Sequence, residues 1–226
     1  MPTMTITAFH ENTRSRKYMT GPAYRALFEA NKFQLITRYI ENQVVQNRDH
    51  SGPRGLHFGA WRGGSNEKSN LRTNDALLLD YRRSQFEEVR AGIQRMGYAH
   101  IWIDTENKAR TLNTISLVVP FREPVDAPTY ERIASCFAKE IDTYGMIDGA
   151  ITSTFITNIH GTSMVVPHEG ELLDAEAYKR ATKNLYQRQD AAKYYAEHRP
   201  ACRATIPTDL IHPAPEGVVE SGLFVW

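Results

Sequence analysis

Cysteine is scarce in this chain. Cys136 and Cys202 are the only two, they stand far apart, and neither sits in a metal-ligand spacing. That excludes a disulfide-built scaffold or a zinc-finger-type module, and points to a reducing compartment or a plain core role for the thiols. Net charge is scarce as well, with 27 Lys plus Arg against 26 Asp plus Glu. Affinity for a polyanion is therefore not written into the total charge and has to come from local clustering. No apolar run reaches the ~18 to 20 residues that span a bilayer, and Met1 to Phe9 lacks the basic flank and apolar stretch of a secretory leader. A cytoplasmic protein without membrane contact is expected. There is no Gly-x-x-x-x-Gly-Lys-Ser/Thr loop and no Gly-x-Gly-x-x-Gly fingerprint, which sets aside P-loop hydrolysis and dinucleotide chemistry. His100-Ile101-Trp102 approaches a His-x-His relaxase motif but lacks its second histidine.

What is present is a series of periodic segments. Arg14, Arg16, Lys17 and Arg25 precede a stretch from Tyr24 to Val45 whose apolar residues recur at mostly helical spacing, so residues 1–48 read as a basic and helical segment. Asp49 to Asn74 is rich in breakers, with one apolar island at Leu56 to Trp61 that predicts a short strand before a long loop. Ala76 to Asp80 is a continuous apolar run ending in an acid, the pattern of a buried strand. It is expected inside a sheet beside Ile115 to Val119. Ser84 with Glu87 predicts a capping box for a helix through Phe86, Val89, Ile93 and Met96, stopped by Gly97. Strands are predicted at Tyr98 to Ile103, Thr114 to Phe121 and Ile151 to Ile159. Tyr130, Ile133, Ala134, Phe137 and Ile141 form one helical apolar face, and a last helix is predicted from Asp174 to His198, closed by Pro200. The order implies an α/β or α+β fold: a mixed sheet with helices on one face, a core over about residues 54–165, and a helical appendage over 170–226.

In order and spacing these elements resemble the catalytic core of phage and plasmid primases, members of the archaeo-eukaryotic primase (primase-polymerase) superfamily. The resemblance covers about Phe58 to Asp148. It runs through the loop from Arg62 to Asn74, the strand Ala76 to Asp80, the helix from Phe86, Tyr98 to Asn107, Ile115 to Pro120 with Pro124-Val125, the helix Tyr130 to Ile141, and Ile147-Asp148. It implies a two-metal nucleotidyl-transfer site, in which three carboxylates hold Mg²⁺ or Mn²⁺ around the reacting hydroxyl and the leaving pyrophosphate. Asp80 takes the place of the first metal acid and Asp148 that of the third. Arg82 stands where the second acid belongs, Glu106-Asn107 stands where the family has Ser-His, and Thr114 and Ser116 replace its basic residues. A fold that has lost its polymerase chemistry is the expectation, with no cofactor. The alternative is an active primase that has rebuilt its site from Asp80, Asp104 or Glu106, and Asp148, and uses Mg²⁺ or Mn²⁺.

Each candidate has a plainer reading beside the functional one. Asp80 equally suits a strand-end acid that caps the next turn. Asp104 and Glu106 lie two apart and share a face if the strand continues, yet surface charge accounts for both. Arg54, Trp61, Arg62, Lys68 and Arg72, with Arg82 and Arg83 past the strand, form a basic stretch with an aromatic interleaved. Such a set suits single-stranded DNA, cations on phosphates and the indole on a base; a solvated loop around a core Trp is the competing account. His57, His100 and His160 have no ligand spacing. The expected partners are single-stranded DNA and a phage RNA polymerase, DNA polymerase or helicase.

Overall fold

The apolar run Ala76 to Asp80 lies within β4 (Thr73–Arg82). Its side chains are covered on both faces because alternate residues serve two different cores. Leu77, Leu79 and Tyr81 turn to one side, with Leu117 and Val119 of β6 (Thr114–Asp126) and Trp102 of β5 (His100–Asp104). Ala76, Leu78, Ile101, Ile103 and Val118 turn to the other. β4 and β6 are antiparallel, with Leu77 opposite Val119, Leu78 opposite Val118 and Leu79 opposite Leu117, the pairing expected from the sequence. This is a computed structural model, and it describes residues 3–11, 18–27, 31–49, 55–62, 70–104, 114–142, 151–153, 156–157, 159 and 161–182. All of these fall within the unit Met1–Gln187.

Five strands form the main sheet in the order β7-β4-β6-β5-β9, where β7 is Ile151–Ser153 and β9 is Met164–His168. With α2 (Phe86–Met96) and α3 (Ala127–Ile141), the chain runs β4-α2-β5-β6-α3-β7. That succession, with the spatial order β7-β4-β6-β5, is the ferredoxin-like split βαβ arrangement. α2 and α3 cover the first face through Val89, Ile93, Tyr130, Ile133, Ala134, Phe137 and Ile141. α3 starts where Asp126 accepts a hydrogen bond from the Thr129 N–H at 2.9 Å, and Pro128 fits its first turn because no intrahelical donor is lost there. The buried Tyr130 hydroxyl accepts from the Leu78 N–H at 3.1 Å, tying α3 to the central strand.

The second face is covered by α1 (Lys32–Gln46) and by a four-stranded antiparallel sheet in the order β2-β1-β3-β8. β1 is Thr3–Glu11, β2 Tyr18–Leu27, β3 Gly55–Phe58 and β8 Ile156–Thr157. Met4, Ile6 and Ala8 alternate along β1 and meet Phe33, Ile36, Ile40 and Val44 of α1. Lys32, the first residue of α1, forms a buried salt bridge with Asp75 at 2.5 Å, which joins this helix to the start of β4.

The fold is therefore α+β, and several sequence expectations are corrected. The segment before residue 48 is a β-hairpin followed by a helix, and Tyr24 to Leu27 belong to β2. Their apolar spacing fits two periods, and pairing with β1 selected the strand. Helices cover both faces of the main sheet, α1 lying opposite α2 and α3. No capping box opens α2: Ser84 sits in a 3₁₀ turn (Arg83–Gln85), and the N-cap Gln85 makes no side-chain cap bond. The strand expected from Ile151 to Ile159 is two short strands, β7 and β8, in different sheets. α4 (Ala175–Ala181) begins at Asp174, whose carboxylate accepts from Ala177 N–H at 2.9 Å. The rest of the helix predicted to His198 lies outside the described residues.

Candidate functional site

Because β4 alternates, Asp80 and Arg82 project to the same face, the one shared with α1, at the C-terminal end of the strand. Across from them on β6 stand Ser116 and Thr114, opposite Asp80 and Arg82 respectively. On the far side, Ile151 of β7 pairs with Asp80. The site is therefore a short polar end to an otherwise apolar sheet face. The Ser116 hydroxyl donates to Asp80 Oδ1 at 2.5 Å. Burial pushes the Asp80 carboxyl above its usual range, and the Ser116 hydrogen bond offsets this only in part. Arg82 is exposed.

Asp104 does not join this group. It pairs with Ile115, one register step from the pair of Ser116 with Ile103, so it projects to the opposite face. There it forms a salt bridge with Arg83. A strand-end acid one residue out of phase is separated from Asp80 by the thickness of the sheet, and the two cannot share a metal. Glu106 and Asp148 lie outside the described residues; Asp148 precedes by three residues the start of β7 that pairs with Asp80. Among the described residues no cluster of three or more His, Cys, Asp or Glu is placed to hold a metal. One carboxylate drawn toward its protonated form, with a guanidinium two residues away on the same face, is a poor match for a pair of hard divalent ions.

The basic stretch seen in the sequence is not one patch. Arg72 immediately precedes β4 and Arg82 ends it, so the ten-residue strand holds them roughly 30 Å apart at ~3.3 Å per residue. Trp61 and Leu71 are bridged antiparallel, and the Arg62 N–H donates to the Asn70 carbonyl. In such a ribbon Trp61 and Leu71 share one side, while Arg62 and Arg72 share the other. Leu71 is buried and both arginines are exposed. Trp61 is half-buried, its ring edge-on to His57 at 5.1 Å between centroids. The ribbon thus puts Arg62 and Arg72 on one side and the indole on the other. Arg83 is directed to Asp104 on the other face, and Arg54 and Lys68 lie outside the described residues. His57 is a core residue whose Nε2 meets the Thr73 carbonyl at 2.9 Å.

A second concavity has only a faint signature in the sequence. On the α2 face, a cavity of about 550 Å³ opens between the first turns of α2 and the edge strand β9. Trp102 and Ile115 line it together with Phe86 and Arg90 of α2 and with Met164, Val166 and His168 of β9. The signal is Met164-Val165-Val166, whose apolar letters suggest core, whereas Met164 and Val166 are exposed.

Asp80 gives a direct test of this geometry. A carboxyl raised by burial makes the fold less stable once it ionises. Its penalty is absent below the unfolded-state value, grows as pH rises from there through the folded value, and is complete above. Asp80→Asn keeps an acceptor for Ser116 and removes the charge. It should raise the thermal midpoint at neutral pH, with the difference from the parent shrinking as pH falls through the raised folded value and vanishing below about 4. A variant less stable than the parent at neutral pH would mean that the carboxylate is held by groups other than Ser116.

No protein-family model matches the chain, and no curated protein matches it. Among solved structures, the chain is similar to the archaeo-eukaryotic primase domain of the cyanophage S-2L primase-polymerase. The identity is 13%, the alignment covers 79% of this chain and 88% of that one, and the TM-score is 0.36. A likeness of that size carries no weight of its own.

Proposed function

We propose that the chain is a non-catalytic, single-stranded DNA-binding protein with a primase-like fold, serving a phage or plasmid polymerase in replication or transcription. The observation that carries the reading is that Asp80, bonded to the Ser116 hydroxyl, and Arg82 lie two residues apart on one face of β4, where the primase resemblance requires a pair of metal acids. A cation at the second ligand place repels a divalent ion and leaves phosphate, not metal, as the natural partner of this end of the sheet. Arg62 and Arg72 extend the cationic surface at the other end of β4. The distance of roughly 30 Å between the two ends suits an extended strand of several nucleotides held at both. No cofactor is part of this reading.

The active-enzyme alternative has one observation in its favour. β7 begins beside Asp80, so the residue expected to supply the third acid, Asp148, belongs to the segment that leads into this end of the sheet. Primer extension with Mn²⁺ separates the two readings. The binder should incorporate no nucleotide on a primed template, and incorporation that disappears in Asp80→Ala would establish the enzyme.

Binding itself has its own expected pattern. The parent should retain single strands at low salt with little sequence preference. Arg62→Ala, Arg72→Ala and Arg82→Ala should each lower the magnitude of the log-log salt slope by about 0.7 for every phosphate that is no longer neutralised. Trp61→Ala should weaken binding only if the indole swings out from His57 to stack on a base, at about 1 to 3 kcal/mol. Three arginine variants with the parent's slope would end the reading.

A further inference from the structure

We propose that the stacked histidines His100 and His168 make β9 an acid-released edge strand, closed on β5 while His100 is neutral and lifted from it when His100 takes up a proton. The device does not depend on the single-strand reading. His100 and His168 stand directly opposite each other in the β5 and β9 ladder. Their rings lie nearly parallel, with 14° between planes and 4.7 Å between centroids. His100 is 4% exposed, and its Nδ1 lies 2.8 Å from the Tyr98 carbonyl. A carbonyl only accepts, so Nδ1 carries the proton and the neutral ring keeps a bare lone pair on Nε2. That Nε2 is buried with no hydrogen-bond partner among the described residues. A second proton would turn it into a sealed N–H on a cation, and a buried charge without a partner costs far more than a buried neutral group.

The other charges on this face are engaged elsewhere. Arg83 is bridged to Asp104, Arg90 lies 3.5 Å from Glu87, and Glu140 accepts from the Tyr178 hydroxyl at 2.6 Å. Glu140, Glu171 and Asp174 bear on Tyr98, and Glu169 is exposed beyond the end of β9. Burial holds the His100 imidazole below its ordinary range; the Tyr98 hydrogen bond offsets part of this, and the charge of His168 adds to it. Water reaches Nε2 with the least loss of contacts if β9 moves. β9 pairs with β5 alone, whereas β4, β6 and β5 each have a strand on both sides. Met164, Val166 and Pro167 are exposed, and Val165 is the apolar residue of the strand that packs against a core. The ends of the moving piece are fixed. Before it, Asn47 Nδ2 donates to the Ile159 carbonyl at 2.6 Å; after it, Ala99 N–H donates to the Glu171 carbonyl at 2.8 Å and Leu173 N–H to the Pro120 carbonyl at 2.9 Å.

In the lifted strand His100 meets water and returns to the ordinary imidazole value of about 6.5. Closure is therefore at full strength above about pH 6.5, weakens as pH falls from there through the lowered value of the closed state, and levels off below it. Amide hydrogen exchange of the full-length protein, corrected for its intrinsic pH dependence, reads the opening of residues 164–168 beside that of β4 and β6. Between about pH 7.5 and about pH 5 the protection of 164–168 should fall about tenfold while that of β4 and β6 holds. His100→Phe keeps a ring against His168 and removes the titrating nitrogen, so its β9 protection should no longer depend on pH. In ¹⁵N spectra of the parent, neutral His100 should carry its proton on Nδ1, a readout that needs no variant to fold. The proposal is overturned if β9 protection is the same at both pH values, if β4 and β6 lose protection in step with it, or if His100→Phe keeps the parent's dependence. A neutral His100 protonated on Nε2 overturns it too.

Discussion

Lys32→Met is expected to destabilise the fold by about 3 to 5 kcal/mol, a large part of the ~5 to 15 kcal/mol that holds a typical domain together. Lys32 and Asp75 are 6% and 3% exposed and meet at 2.5 Å. Removing the ammonium leaves a carboxylate inside the protein without its counter-charge, and that uncompensated group accounts for most of the loss. The double variant Lys32→Met with Asp75→Leu removes both charges and should recover most of the stability, because the pair's own attraction is largely offset by its desolvation. Urea unfolding of the parent, the single and the double variants measures all three. A single variant that loses less than about 1 kcal/mol would show that Asp75 is reached by water. The functional consequence follows from position. Lys32 opens α1, which closes the sheet face that ends in Asp80 and Arg82, so loosening α1 should also disturb the arginine geometry there.

The second large effect is expected at Gly59. Its φ is +143°, a region closed to side chains, and a Cβ there would stand 1.9 Å from the Thr73 carbonyl oxygen and 2.8 Å from His57 Nε2. The backbone is pinned at this place from several directions. Gly59 N–H donates to the Thr5 carbonyl at 2.7 Å, Thr7 Oγ1 donates to the Gly59 carbonyl at 3.3 Å, and Ala60 N–H donates to Thr73 Oγ1 at 3.0 Å. Gly59→Ala has no direction in which to relax without breaking these hydrogen bonds. Strain of about 1 to 3 kcal/mol, with about 0.5 to 1.5 kcal/mol for each hydrogen bond broken, gives a cost of about 3 kcal/mol or more. Gly97 is the control. Its φ is +72°, but no described atom lies within 4 Å of a Cβ there. Gly97→Ala should therefore cost only the left-handed backbone penalty of about 1 to 2 kcal/mol. Similar losses at the two glycines, by thermal unfolding, would contradict the close approach. Because Gly59 leads directly into the ribbon that presents Arg62 and Arg72, Gly59→Ala should also reduce single-strand binding where Gly97→Ala does not.

Much of the main sheet and its helices was legible in the sequence. Tyr130, Ile133, Ala134, Phe137 and Ile141 repeat at helical spacing and all are buried in α3. Ala76 to Leu79 and the strand around Ile115 to Val119 are so nearly apolar throughout that only coverage on both faces suits them, and they pair as β4 with β6. Gly97 stopped α2 in a left-handed turn, where a glycine is the residue of least cost. These are local facts, set by period and by backbone preference.

What the tertiary structure alone decided is which of the chemical residues meet. Asp80, Arg82 and Asp104 all lie at strand ends in the sequence, but β4 and β5 reach β6 in registers that put Asp104 on the far face with Arg83. Register is a long-range choice, and a shift of one residue reverses every side chain, so no local pattern reveals it. The basic run from Arg62 to Arg82 looked continuous because sequence distance is not spatial distance once a ten-residue strand intervenes. Tyr24 to Leu27 settled as strand instead of helix through pairing with Thr3 to Ile6 of β1, about twenty residues earlier in the chain. The α2 and β9 cavity joins residues from Arg83 to His168, and only the packing of an edge strand beside a helix brought them together. Periodicity thus determined the elements, while register and packing determined the sites, because a site is built by residues far apart in the chain that only the folded state brings together.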